Sequence, residues 1–213
     1  MSQRGSVKRD LFFCKGYVDM GLFLDAAKAW SGLYNTEYIL DIARKGKLSR
    51  VNLTFSPEDF AHVAGIQYMG DIDFGIRRTK LLGDRLIKAL LHKEFNDEVA
   101  KNGRNWGKVA GRLEAVIGIE KILDGSFTIA SFDNSRVGCY SQIDADYVIK
   151  GQLEDFYFIL LDDSSGHYYC KSVFKKEHVD YTTNQSIMTI LRKIKVVDGV
   201  STLLYQHPRY EPS

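Results

Sequence analysis

The 213-residue sequence has little that would build a disulfide or metal framework, and it has no long apolar run. Its three cysteines, Cys14, Cys139 and Cys170, are widely spaced and form no C-x-x-C pair, so neither a disulfide framework nor a zinc knuckle is predicted. No signal-peptide h-region follows the first residues, and no run approaches the roughly 20 apolar residues that span a bilayer. These absences predict a protein of a reducing compartment, the cytoplasm, with no membrane segment.

Several motifs of familiar enzyme classes are also missing from the sequence. There is no phosphate loop, no G-x-G-x-x-G after a strand, no H-E-x-x-H, no G-x-S-x-G and no EF-hand loop. No two of the five histidines stand at a chelating helical spacing. We therefore expect no metal and no cofactor, and chemistry that depends on a few polar side chains.

The composition that remains is typical of a globular protein. Apolar residues make up 45% and charged residues 26% of the chain, which predicts a single domain over residues 1–213 rather than a disordered chain. The net charge is only +2, but residues 41–112 and 171–213 are basic and flank an acidic segment. If the two basic segments meet they would form a phosphate-attracting face; the alternative is ordinary solvated surface.

The hydrophobic period changes along the chain. Helical spacing within residues 16–33, 57–68, 75–102 and 109–123 predicts four helices, and residues 35–55 read as a hairpin of two strands around Gly46. From Ser126 to Tyr205 the period is two, with turn clusters between the apolar runs. This segregation predicts an α+β fold in which N-terminal helices, with a hairpin, occupy about residues 1–125 and pack on a C-terminal antiparallel sheet over about 126–205.

His62 is the first candidate for chemistry. It lies in the predicted helix after Ser56-Pro57, in the apolar run Phe60-Ala61-His62-Val63-Ala64. An imidazole titrating near neutral pH could serve as general base or acid, whereas a core histidine bonded to backbone is the alternative.

Polar residues near the end of the chain are further candidates. Alternation in the predicted strand 167–174 places Tyr168, Cys170, Ser172 and Phe174 on one face and Lys171 on the other. Thr183, Gln185, Arg192 and Lys193 follow. Hydroxyls, amides and cations of this kind suit a phosphodiester, and a solvent-facing sheet with lysines protecting its edge is the alternative.

Residues 51–72, with Phe60-Ala61-His62, Gly65 and the closing Asp71-Ile72, resemble the opening of the phage-associated barnase/EndoU/colicin/RelE-like (BECR) nuclease family, fourth phage group. The run Tyr169-Cys170-Lys171-Ser172-Val173-Phe174 and the later residues 181–195 are similar to that family's closing strands. The resemblance covers roughly residues 34–205. A helical insert at about residues 75–123 departs from the family pattern.

The resemblance implies a metal-independent endoribonuclease of the toxin type, in which the 2′-hydroxyl of RNA attacks the adjacent phosphate and leaves a 2′,3′-cyclic end. His62 would transfer a proton, Lys171 or Lys193 would stabilise charge, and Ser172, Thr183 and Gln185 would orient the phosphate. Substrate would be bound by Tyr68, Tyr181, Arg192 and Lys193. The implied partners are RNA and a cognate antitoxin or immunity protein.

Two other classes stay open. The first is a catalytically inactive phage or mobile-element protein that binds nucleic acid or protein without cutting. The second is a metal-dependent nuclease, which needs clustered carboxylates. Its candidates, Asp144, Asp146, Asp162 and Asp163, occupy predicted turns and are better explained as solvated loop residues.

Overall fold

A computed structural model describes residues 21–72, 83–92, 97–137, 144–152, 156–164 and 167–211. The helices of this part of the chain are α1 (Leu22–Ser31), α2 (Pro57–Val63), α3 (Asp84–Leu91), α4 (Asp97–Lys101), α5 (Trp106–Ile117) and α6 (Ile119–Asp124). Short 3-10 turns cover Ile66–Tyr68 and Asn134–Arg136. Of the long helical pattern predicted over 75–102, residues 75–82 and 93–96 lie outside the described residues. None of the described helices is both long and apolar enough to cross a bilayer.

Within the described ranges, eight strands form one sheet. They are β1 (Thr36–Arg44), β2 (Lys47–Thr54), β3 (Phe127–Ser131), β4 (Tyr147–Gln152), β5 (Phe156–Ser164), β6 (His167–Lys175), β7 (Ser186–Val197) and β8 (Val200–Gln206). Their order in the sheet is β1-β2-β6-β5-β4-β3-β7-β8.

The sheet closes on itself because β7 also pairs with β1, from Thr36↔Val197 to Ala43↔Thr189. Seven strands therefore form a barrel, and β8 lies outside the ring on β7. The predicted architecture, N-terminal helices packed on an open C-terminal antiparallel sheet, is wrong. The hairpin β1–β2 from the N-terminal half is part of the same sheet, and the pairing of β2 with β6 is parallel, so the sheet is mixed.

The parallel pairing brings helix α2 to strand β6. Leu53 and Thr54, at the end of β2, pair with Tyr168 and Tyr169 of β6, and α2 begins three residues after Thr54. Helices α2 and α5 both pack against β6. One hydrophobic cluster joins the helices to the barrel strands and includes Trp30, Leu53, Phe60, Leu113 and Val173.

The start of α2 confirms the predicted helix signal. Ser56 is the N-cap and its Oγ accepts a hydrogen bond from the Glu58 N–H at 3.2 Å, while Pro57 occupies the first turn. A hydroxyl cap satisfies one of the free amides of the first turn, and proline has no amide to satisfy. The helix ends before Gly65, which has a φ of 79° and so turns the chain in the left-handed region.

Candidate active site

His62 lies on the outer side of the last turn of α2. Its neighbours Ala61 and Val63 are buried, whereas the His62 side chain is accessible to solvent, which proton exchange with a substrate requires. Partial burial of the ring, together with the positive charges of Arg112 and Lys171, lowers the pKa of His62 below its ordinary value of 6.5. The imidazole is therefore neutral at pH 7 and can accept a proton.

Arg112 of helix α5 is the buried cation beside His62. Its side chain is only 8% exposed, on the stripe of α5 that also carries Val109, Leu113 and Val116. The Nη1 donates to the Oγ of Ser172 at 3.0 Å and to the carbonyl of Val63 at 3.4 Å. Arg112 thus connects the end of α2, where His62 lies, to strand β6.

No carboxylate of the described part of the chain pairs with Arg112, and its Nε has no hydrogen-bond partner there. Burial lowers the pKa of this guanidinium, although nearby Tyr68 and Cys170 act in the opposite direction. Taking an unpaired charge out of water costs several kcal/mol or more. Such a cation is expected where an anion, or an anionic transition state, is to be bound.

A β-bulge in β6 sets which side chains face Arg112. Leu161 pairs with Cys170 but Leu160 pairs with Ser172, so Lys171 is the extra residue. The strand's alternation therefore shifts, and both Cys170 and Val173 enter the core. The expectation that Cys170 and Ser172 share a face is wrong, because the extra residue puts them on opposite faces of β6, and Ser172 accepts the hydrogen bond from Arg112.

Lys171, the bulged residue, is the second cation that acts on His62. Its Nζ lies 2.5 Å from Oδ2 of Asp162, which also accepts a hydrogen bond from the Tyr169 hydroxyl at 3.3 Å. Burial acts to lower the pKa of Lys171, but the hydrogen bond and charge of Asp162 outweigh it and raise the pKa. Lys171 is therefore fully charged at neutral pH.

A cavity of about 410 Å³ opens beside Arg112, between α5 and the residues that follow β6. Its wall contains the aromatic rings of Tyr68, Phe174 and Tyr181. The Nζ of Lys108 lies 3.8 Å from the centre of the Tyr68 ring, and the Arg112 guanidinium lies 5.2 Å from it. The cavity combines stacking surface with positive charge, two features of single-stranded nucleic-acid sites.

The structure brings five of the predicted residues to this region and leaves the others apart. Those brought together around Arg112 are His62, Tyr68, Lys171, Ser172 and Tyr181. Thr183 is exposed in the segment between β6 and β7. Gln185 is buried, and its side-chain amide bonds both the N–H and the carbonyl of Asp133 at 2.9 Å.

Arg192 and Lys193 lie on β7, which is three strands from β6 around the shorter side of the barrel. Arg192 pairs with Asp41 at 2.7 Å. The Nζ of Lys193 donates to the carbonyls of Leu123, Asp124 and Gly125 at the end of α6, and burial lowers the pKa of Lys193 to about 8. Both cations are engaged away from His62, and their predicted roles in substrate binding stay predictions.

Sequence reasoning missed Arg112 and Lys108 because charged residues of a predicted helix are assigned to its solvent face. A signal was present, since Arg112 falls on the apolar stripe that Val109, Leu113 and Val116 define. A charged residue in the buried stripe of an amphipathic helix is rare unless it is paired or functional.

No group of three or more metal-ligating side chains is found among the described residues. Of the predicted carboxylate candidates, Asp162 is held by Lys171, and the side chain of Asp163 lies outside the described residues.

His62 on a helix, the buried Arg112 and the hydroxyl of Ser172 on a strand form one polar cluster, which combines a base with a cation that can bind a phosphate. Residues 22–202 match a family model described as phage-Barnase-EndoU-ColicinE5/D-RelE like nuclease 4, PBECR4. The match covers most of the chain, so the protein belongs to this family of phage-associated nucleases. No curated protein and no solved structure matches the chain.

Proposed function

We propose that this protein is a metal-independent endoribonuclease that cleaves RNA through attack of the 2′-hydroxyl on the adjacent phosphate. The observation that carries the proposal is the accessible, neutral His62 beside Arg112, a buried cation with no carboxylate partner in the described part of the chain. A base and a phosphate-binding cation are the groups that this transesterification needs.

Each residue of the site has a role in the proposed reaction. Neutral His62 takes the proton of the 2′-hydroxyl while the 2′ oxygen bonds to phosphorus and the bond from phosphorus to the 5′ oxygen breaks. The 5′ oxygen leaves with a proton, and the protonated His62 or water supplies it. Arg112 and Lys171 offset the negative charge that grows on the phosphorane, and the Ser172 hydroxyl holds Arg112 in place. The products are a 2′,3′-cyclic phosphate and a 5′-hydroxyl.

The family resemblance implies that Thr183 and Gln185 orient the phosphate and that Lys193 stabilises charge. These roles are also part of the proposal. The toxin role, and an antitoxin or immunity protein that restrains it, belong to the proposal as well. A toxin-type ribonuclease arrests the growth of its host on expression, and the His62→Ala variant would relieve the arrest.

The experiment incubates the purified protein with total RNA in excess chelator, using wild type, His62→Ala and the control His207→Ala. His207 directly follows β8, and its backbone N–H donates to the Leu191 carbonyl. Wild type and His207→Ala should cut RNA equally, while His62→Ala should be slower by about 10²- to 10⁴-fold, the usual cost of a lost acid or base. Activity that needs magnesium, or equal cutting of DNA, contradicts the mechanism.

The same site supports a second function, nucleic-acid binding without cleavage. The cavity with its aromatic wall, Arg112 and Lys108 would bind a single strand whether or not His62 completes a reaction. Retention of labelled RNA with no cleavage by wild type, at any pH between 5 and 9, would favour this function over the nuclease.

A further inference from the structure

The cavity beside Arg112 has a composition that the cleavage step alone does not explain. Among the described residues, its wall carries three aromatic rings, those of Tyr68, Phe174 and Tyr181, and its three cations outnumber its one acid, Glu177. We propose that this cavity is a nucleotide subsite, which holds the phosphate of a nucleoside monophosphate unit on Arg112 and its base against the aromatic wall. The proposal rests on the nuclease function above and names the part of the RNA that the site recognises.

Arg112 provides the anion-binding half of the subsite. It is buried, it lines the cavity, and its Nε has no partner among the described residues. The Nη1 is already fixed by Ser172 and Val63, so the guanidinium is oriented before any ligand arrives. A guanidinium presents its N–H groups as a planar fork that matches two oxygens of a phosphate.

The turn at Gly65 is shaped around the same arginine. A Cβ at Gly65 would lie 2.8 Å from Cδ of Arg112 and 3.2 Å from Cδ2 of Tyr68. Any side chain at this position would push Arg112 and Tyr68 away from their places in the cavity. The close approach of backbone to Arg112 indicates that the chain is built to hold the cation and the ring together.

The aromatic wall provides the base-binding half. Tyr68, Phe174 and Tyr181 are all partly exposed, and the Phe174 and Tyr181 rings meet edge to face at 5.2 Å. Bases stack on aromatic side chains, and cations at the rim strengthen binding of the backbone. The volume of about 410 Å³ falls in the range of roughly 300–1,000 Å³ that small-molecule pockets occupy.

Two exposed lysines rim the cavity and favour an anionic ligand. They are Lys108 and Lys175, against one exposed carboxylate among the described lining residues, that of Glu177. A neutral nucleoside would use the aromatic wall alone, and inorganic phosphate would use the cations alone. A nucleotide uses both, so its affinity should exceed that of either part.

Binding of small probes to the full chain tests the subsite without any cleavage. The probes are the four nucleoside 3′-monophosphates, the corresponding nucleosides and inorganic phosphate, each titrated by calorimetry. At least one nucleotide should bind ten or more times tighter than its nucleoside and tighter than phosphate. Arg112→Met should remove the advantage of the nucleotide over the nucleoside, and Tyr181→Leu should weaken nucleotide and nucleoside but leave phosphate unchanged.

Lys88→Met is the matched control for loss of a positive charge. Lys88 is exposed and paired with Asp84 on helix α3, away from the residues that line the cavity. This variant should bind every probe as wild type does. A weakening of nucleotide binding in Lys88→Met as large as in Arg112→Met would show a general charge effect and overturn the proposal.

The melting temperature of Arg112→Met separates a binding role from a purely structural one. If Arg112 has a structural role, its replacement lowers the stability of the protein. If the buried cation is kept for its ligand, the protein with methionine in its place is equally stable or more stable. If Arg112→Met does not fold, Arg112→Lys is the alternative variant. It keeps the positive charge but lacks the planar fork of N–H groups, and it should weaken nucleotide binding by at least tenfold.

The outcomes for the two proposals are distinguishable. Nucleotide binding that depends on Arg112, in a protein that cuts no RNA, supports the subsite and removes the nuclease function. RNA cleavage that depends on His62, in a protein that binds none of the four nucleotides better than phosphate, overturns the subsite and leaves the nuclease function. Nucleotide binding that Arg112→Met does not change overturns the subsite as well.

Discussion

The Nη1 of Arg112 lies 3.0 Å from the Oγ of Ser172, and this hydrogen bond joins helix α5 to strand β6 beside His62. The contact exists because the bulge at Lys171 turns Ser172 out of the core. It gives the buried guanidinium one of its two acceptors within the described part of the chain, the other being the Val63 carbonyl. The position of Arg112 relative to His62 therefore depends on the Ser172 hydroxyl together with the Val63 carbonyl.

Ser172→Ala tests that dependence. The variant removes an acceptor from a charged donor, an interaction worth about 1.5–3 kcal/mol. We expect RNA cleavage to slow by roughly 10- to 100-fold because Arg112 is less well fixed, in a protein that remains folded by circular dichroism. Ser201→Ala, at an exposed position of β8, should cleave as wild type does. An unchanged cleavage rate in Ser172→Ala would show that the Ser172 hydroxyl does not position Arg112 for the reaction.

Gly65→Ala tests the fit between the α2 turn and Arg112. Gly65 and Gly199 both have positive φ, 79° and 80°, so alanine strains the backbone at each by about 1–2 kcal/mol. Only at Gly65 does the new Cβ meet other atoms, 2.8 Å from Cδ of Arg112, while nothing lies within 4 Å at Gly199. Both variants should melt lower than wild type, but only Gly65→Ala should lose cleavage and nucleotide binding. Equal activity of the two variants would contradict the proposed role of the turn.

The titration of His62 should show the effect of its cationic neighbours. Burial and the charges of Arg112 and Lys171 lower its pKa, so the imidazole is neutral and active as a base down to a pH below its ordinary value of 6.5. The cleavage rate should fall only as the pH drops through that lowered pKa. Arg112→Met removes one positive charge, and the pKa should then move upward. NMR of the imidazole protons measures both values, and a pKa above 6.5 in wild type would count against the site.

Asp59, one helical turn before His62, provides a prediction about stability. Burial raises the pKa of Asp59 to about 6, and the negative charge of Glu58 raises this pKa further. A hydrogen bond from the Ser56 backbone amide acts in the opposite direction. A folded-state pKa above the unfolded value of 3.8 means that the folded protein binds the proton more tightly. The resulting stabilisation is fully present below pH 3.8 and is lost as the pH rises through about 6.

Asp59→Asn replaces the ionising carboxyl with a neutral group of the same shape. The variant should therefore raise the melting temperature more at pH 7.5 than at pH 4.5, measured by thermal unfolding at both values. Asp84→Asn, at the exposed start of α3, is the control: its carboxylate is paired with Lys88, so the variant should not raise the melting temperature at pH 7.5. A gain that is equal at both pH values would show that Asp59 is not destabilised by its charge.

Local signals predicted much of the secondary structure but not the closure of the sheet. Ser56-Pro57 marks the start of α2 because capping depends only on neighbouring residues. Alternation predicts that β1 and β7 are strands and which side chains share a face, but it carries no information about which strand lies beside which. The pairing of Thr36 with Val197 that closes the barrel joins residues far apart in sequence, and only the packing of the whole chain decides it.

The candidate site, like the fold, was predictable only where the signal is local in sequence. His62 has a local signal, because it interrupts an apolar run on a helix whose start is clear. Arg112 has its role only through contacts with Ser172 and Val63, which come from other elements. The bulge at Lys171 shifts the alternation of β6 by one residue, and neither the sequence period nor the residue types reveal such a shift.

The most direct test uses an oligonucleotide with one ribonucleotide in an otherwise 2′-deoxy strand, incubated with the protein in excess chelator. The proposed mechanism predicts one cut, on the 3′ side of the ribonucleotide, with a 2′,3′-cyclic phosphate on the upstream fragment by mass spectrometry. The cut should be lost in His62→Ala but not in His207→Ala. Cutting of the all-deoxy strand, a 3′-hydroxyl on the upstream fragment, or wild-type cutting by His62→Ala would contradict it.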